Sequence, residues 1–178
     1  MSVKDAEDCD MMDQNGDAWE SVTMKILLDN AGGVRFYTGY LIGAYGACAE
    51  SRNICLTYRD LVDTLDCWAV GCCELELEGH RYLAFYDDEG RTHENSPTVR
   101  EGDRIALVGS VFIVGLVYLD TIDGYRSDHI VSLEMKDLDL LKRNTSLARF
   151  RSGESSFNSY LLRNVTMKDI DSPVRLFP

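Results

Sequence analysis

The densest chemistry in this chain is carboxylate. Asp87, Asp88 and Glu89 stand side by side, and Glu74, Glu76 and Glu78 recur at every second position just upstream. Hard cations such as magnesium take carboxylate oxygens, so the Asp87–Glu89 run suits a metal-dependent hydrolase, with His93 as one candidate general base. The plainer reading is equally physical. Asp-Asp-Glu-Gly is turn chemistry, and glutamate at alternate positions is a solvated strand face. On that reading the six carboxylates form an acidic surface for a protein partner. No Walker loop, GxGxxG, HExxH or GxSxG occurs, and no cofactor is implied.

Thiols are the second candidate. Cys48, Cys55, Cys67, Cys72 and Cys73 precede His80, but no CxxC occurs. Adjacent Cys72 and Cys73 point to opposite faces of a strand, which does not suit one zinc ion. Buried thiols acting as small hydrophobes account for them better, with neither metal nor an activated nucleophile. Asp13-Gln14-Asn15-Gly16-Asp17 invites a calcium-loop reading and fails it. Aligned on Gly16, the first ligand position falls on Met11 and the bidentate one on Val22.

The elements that must position these groups run from Ala69 to Leu119. Cys73, Leu75 and Leu77 alternate with the three glutamates, a strand signature. Gly79-His80 turns the chain back into a second strand, where Tyr82, Ala84 and Tyr86 alternate against Leu83 and Phe85. DRIALVGSVFIVGLVYL then supplies two β-rich segments hinged near Gly109. Upstream, Val22–Asp29 reads as a strand, Val34–Ile42 as its partner, and Gly43–Asn53 as a loop or short irregular element. Thr57 with Asp60 three residues on opens a helix to about Asp66. Downstream, Asp120–Asp128 reads as a polar loop. Ser132 is expected to cap a second helix bearing Leu133, Leu138 and Leu141 and ending at Asn144. Arg149–Ser159 is Ser/Gly-rich, and Tyr160–Val165 is a short strand. The fold expected is α+β, a single domain with a twisted, mostly antiparallel sheet and two main helices. Residues 1–21 read as an acidic tail, 22–143 as the core and 144–178 as a less regular segment.

Charge narrows the partner. Asp plus Glu number 30 against 18 Lys plus Arg, a net −12. Residues 1–135 hold 25 acidic and 10 basic residues, and residues 136–178 hold 5 and 8. Such a balance repels phosphate, so nucleic acid is not expected as a partner. No apolar run has the length of a membrane helix, and the opening MSVKDAEDCD is acidic where an export signal is basic. The expected place is the cytoplasm. Oligomeric state is not legible.

The stretch from Thr57 to Gly115 resembles a small α/β family of unknown function encoded on phages, plasmids and conjugative elements of Gram-positive bacteria. The shared pattern is a leading strand like MKILL, a short helix, and a strand ending in an acid such as Glu74. An apolar strand follows, running into Asp88-Glu89-Gly90, then a loop with Asn95. The pattern closes with Leu107–Gly115 and a helix opened by Ser132-Leu133. The resemblance covers roughly residues 24–142 and implies a genomic setting, with no catalytic residues to carry over. Together with the charge it points to a mobile-element accessory protein. Such a protein binds a host protein with a basic surface through Glu74, Glu76, Glu78, Asp87, Asp88 and Glu89, as a DNA-mimic-like inhibitor of host defence. The alternative is the metal-dependent hydrolase at Asp87–Glu89.

Overall fold

Alternation in the sequence becomes a β-hairpin at the centre of a layered α+β structure. The computed structural model describes residues 35–46, 48–90, 96–120, 126–169 and 174–176. The expected tail, the expected strand over 22–29, His93 and Asn95 lie outside the described residues. Strands β1 (Phe36–Ile42), β2 (Ala49–Cys55), β3 (Val70–Leu77), β4 (His80–Asp87), β7 (Val111–Asp120), β8 (Arg126–Val131), β11 (Thr166–Lys168) and β12 (Val174–Leu176) form one sheet. Strands β5 (Pro97–Glu101), β6 (Arg104–Val108), β9 (Thr145–Ser152) and β10 (Ser155–Leu162) form a smaller one, ordered β6-β5-β10-β9. Helices α1 (Tyr58–Leu65) and α2 (Met135–Asn144) complete the described elements, with a short 3-10 turn at Ala44–Gly46.

The larger sheet runs β11-β3-β4-β7-β1-β2. At Gly115 strand β7 faces Tyr82 of β4 on one side and Val131 of β8 on the other. Strand β8 therefore takes the β1 side of β7 beyond Ile113, where β1 parts from β7. Pairing is antiparallel except between β12 and β8 and at the single Leu162–Val99 step between β10 and β5.

Both faces of this sheet are covered. On one, Leu83, Phe85, Phe112 and Val114 pack with Leu61 and Leu65 of α1. On the other, Leu75, Leu77, Tyr82 and Ile113 pack with Leu138 and Leu141 of α2 and with Val99, Leu107 and Leu162 of the smaller sheet. A strand buried on both sides reads as a continuous apolar run, which is what Val111–Leu116 shows.

Local chemistry explains the helices. Thr57 Oγ1 accepts the Asp60 N–H at 3.1 Å, and Asp66 ends α1 in the left-handed region at φ 51°. Helix α2 begins later than its serine suggests. The Asp137 carboxylate accepts the Glu134 N–H at 3.1 Å, while the Ser132 hydroxyl accepts the Thr38 N–H at 3.1 Å and joins β8 to β1. Lys142 and Arg143 close the helix, suiting its negative end.

Three segments differ from expectation. Gly43–Asn53 holds most of β2, and Asp120–Asp128 is bounded by strand residues on both sides. The supposedly irregular stretch after Asn144 is a long hairpin, β9–β10.

Candidate partner-binding surface

Glu74 and Glu76 leave β3 on one face, as their spacing requires, while Glu78 stands past the strand end in the turn at φ 50°, and each of the three meets a base. Arg81 sits near them on β4. Its Nε and one Nη bond both oxygens of Glu74 at 2.7 and 2.8 Å. The same guanidinium reaches Asp128 at 3.0 Å and lies over the Tyr118 ring, 3.5 Å from its centroid. Glu74, Arg81 and Asp128 are only 12, 16 and 9% exposed. The Arg81 hydrogen bonds hold the Glu74 carboxyl below its ordinary range against the opposing effect of burial. Glu76 pairs with Lys168 at 2.7 Å, and Glu78 with Arg143 at 3.1 Å. The expected open acidic row is therefore largely neutralised. Its bases arrive from β4, β11 and α2, out of reach of a local reading.

The acidic turn lies elsewhere. Val70 stands opposite Asp87 and Leu77 opposite His80, which puts the turn and Glu78 at opposite ends of the hairpin. At about 3.3 Å per residue that is roughly 25 Å. The six carboxylates thus do not form one surface. Within the turn Asp87 is buried and builds the backbone. Its Oδ1 accepts the Glu89 N–H at 3.1 Å, and its carbonyl accepts the Gly90 N–H at 3.1 Å. Asp88 and Glu89 are exposed.

What the turn abuts had no signal in the charge pattern. The Asp88 N–H donates to the Ala69 carbonyl at 3.0 Å, placing the turn beside Trp68. Trp68 is 87% exposed, and the partly exposed Tyr58 donates its hydroxyl to the Trp68 carbonyl at 3.4 Å. Burial pushes the neighbouring Cys67 thiol up to about 12, with Asp87, Asp66 and Glu89 adding to the effect. Those carboxylates therefore crowd one corner. A large exposed aromatic beside an acidic turn could be recognised in sequence only as Trp68 at a helix-to-strand junction.

A cleft of about 450 Å³ is lined by Asp87, Asp88, Arg104, Met167 and Asp169. Among the described residues no three His, Cys, Asp or Glu side chains gather closely enough to hold a metal ion. His80 Nδ1 lies 3.7 Å from Asp137 Oδ1, the atom that also accepts the Tyr82 hydroxyl at 3.2 Å. That carboxylate also serves the α2 cap, so its bonding is structural.

Cys73 is buried, and burial pushes its thiol up to about 12 as well. Thiolate is the reactive form, so Cys67 and Cys73 should resist iodoacetamide near pH 8 in the folded protein and react once it is unfolded. Peptide mapping after timed alkylation checks this, and folded-state labelling of either at the unfolded rate contradicts it.

Neither a protein-family model, nor a curated protein, nor a solved structure matches this chain. Among the described residues no helix is long and apolar enough to cross a membrane.

Proposed function

We propose that this protein is a binding module that engages a basic surface on a host protein through the corner formed by Trp68, Tyr58, Asp66, Asp88 and Glu89. The observation that carries this reading is the exposure of Trp68 beside a turn of carboxylates. Tryptophan is enriched among the few residues that dominate binding energy, and its ring face attracts arginine or lysine. Flanking carboxylates add long-range attraction and speed encounter. In this reading the ion-paired glutamates of β3 do not imitate a row of phosphates, so the DNA-mimic form of the proposal loses ground. The role of mobile-element accessory protein acting on host machinery remains the setting that the resemblance suggests.

Enzyme chemistry at the same turn is less favoured, because Asp87 is committed to holding its own backbone. The test is capture of partners from host lysate by the wild type and by a D88K/E89K variant, at low and high salt. The expected result is a captured protein that is lost in the variant and weakened by salt, with unchanged thermal unfolding, since exposed carboxylates contribute little to stability. Capture that ignores both changes would show the turn to be merely solubilising.

A further inference from the structure

Seven described bases of this acidic protein are neutralised. Arg52, Arg81, Arg100, Arg104, Lys136, Arg143 and Lys168 each meet a carboxylate within 3.1 Å. Arg149 and Arg151 do not. They stand two apart on β9, which puts both on one face, and Leu147 precedes them on that face at 55% exposed. Arg149 donates to the Ser156 hydroxyl of β10 at 2.8 Å, and among the described residues neither arginine has a carboxylate partner. Two like charges side by side are mildly unfavourable in the absence of a ligand.

The strand that carries them is also open. Strand β9 is the outermost of the smaller sheet, and among the described residues no strand pairs with its outer side. Most of its residues are exposed, and the hairpin is stiffened by Phe150 stacked on Phe157 at 5.8 Å between centroids. An open edge offers a row of unused backbone donors and acceptors, which a protein normally blunts or fills.

We propose that β9 is a docking edge for an extended acidic segment of a partner protein, which adds to the sheet as a further strand. Backbone hydrogen bonds along the edge give affinity for extended polypeptide, which a nucleic acid cannot supply. Alternate carboxylates on the incoming strand meet Arg149 and Arg151, and an apolar residue covers Leu147. At physiological salt the screening length is about 8 Å, so the local arginine pair rather than the net charge of the chain governs the approach. The proposal is independent of the Trp68 corner, which faces a partner of opposite charge.

The probe is a capped synthetic peptide alternating glutamate with valine. Its lysine–valine counterpart and a duplex DNA oligonucleotide serve as controls. Binding is followed by backbone amide shifts and hydrogen exchange in the full chain. The expected result is slowed exchange at the outward-facing β9 amides with the acidic peptide alone. An R149E/R151E variant should lose roughly tenfold or more in affinity while keeping its wild-type amide spectrum elsewhere. A second variant, Leu147→Pro, removes one backbone donor with the charges kept, and it should weaken the acidic peptide too. The idea is overturned if β9 amides are not protected, if the arginine variant binds equally well, or if DNA binds more tightly than the peptide.

Discussion

Replacing Arg81 by methionine should destabilise the protein by about 3 kcal/mol or more, because it leaves the carboxylates of Glu74 and Asp128 together without their shared cation. The Tyr118 ring would also lose the cation that it covers. The pH dependence has a definite sign. Glu74 has a depressed carboxyl pKa in the folded wild type, so its contribution is present above the unfolded value of about 4.3 and is lost as pH falls through the folded one. Without Arg81 the main causes of that depression are gone and burial is opposed only by the charge of Lys168, so the pKa rises. Protonation then relieves the repulsion, and the deficit of the variant should shrink as pH falls. Urea unfolding of both proteins at several pH values measures this. A deficit independent of pH would mean that the guanidinium acts by packing alone, and the triple R81M/E74Q/D128N variant separates the two by recovering stability if charge is the cause.

A comparable loss is expected for Gly39→Val in β1. A side chain there would drive into the Phe112 ring of β7 and lie 2.7 Å from the Ile113 carbonyl oxygen. Overpacking of this kind costs roughly 1–3 kcal/mol, and the backbone contact puts this case at the upper end or beyond it. Phe112→Ala alone should cost about 3–5 kcal/mol by opening a cavity under α1. Since the two residues occupy one space, the double variant should cost less than the sum, a coupling that a double-mutant cycle reads from denaturant midpoints. Additive losses would show that the ring and the glycine do not share that space.

What was legible in the sequence follows from how local each cause is. The hairpin β3–β4 was readable because one face of β3 is fully apolar, and α1 because Thr57 and Asp60 bond within four residues. Strand β2 was missed because Glu50, Ser51, Arg52 and Asn53 are all exposed, which erases the period of two. Strand β9 and the first half of β10 were missed for the same reason, whereas Tyr160–Leu162, where β10 is buried, falls within the short strand expected over 160–165. Ser132 misled because a hydroxyl suited to a helix cap is spent on a neighbouring strand. Of the carboxylates at the corner, Asp88 and Glu89 were among those expected, while Asp66 was read only as a helix end, and the meaning of the β3 glutamates changed. Glu76 meets Lys168 across 92 positions of chain, a distance at which no pattern of spacing carries information.

The place of β7 has a consequence for how the chain assembles. The hairpins β1–β2 and β3–β4 each close over short loops and can form as soon as they leave the ribosome. Yet they flank β7, which is synthesised after both, so each must hold an unpaired inner edge until that strand arrives. The long-range pairing of β1 with β7 and of β11 with β3 adds slow steps of high contact order. During synthesis the molecule therefore passes through a stage with two sticky, half-finished ribbons, the stage at which chaperones and aggregation compete for it.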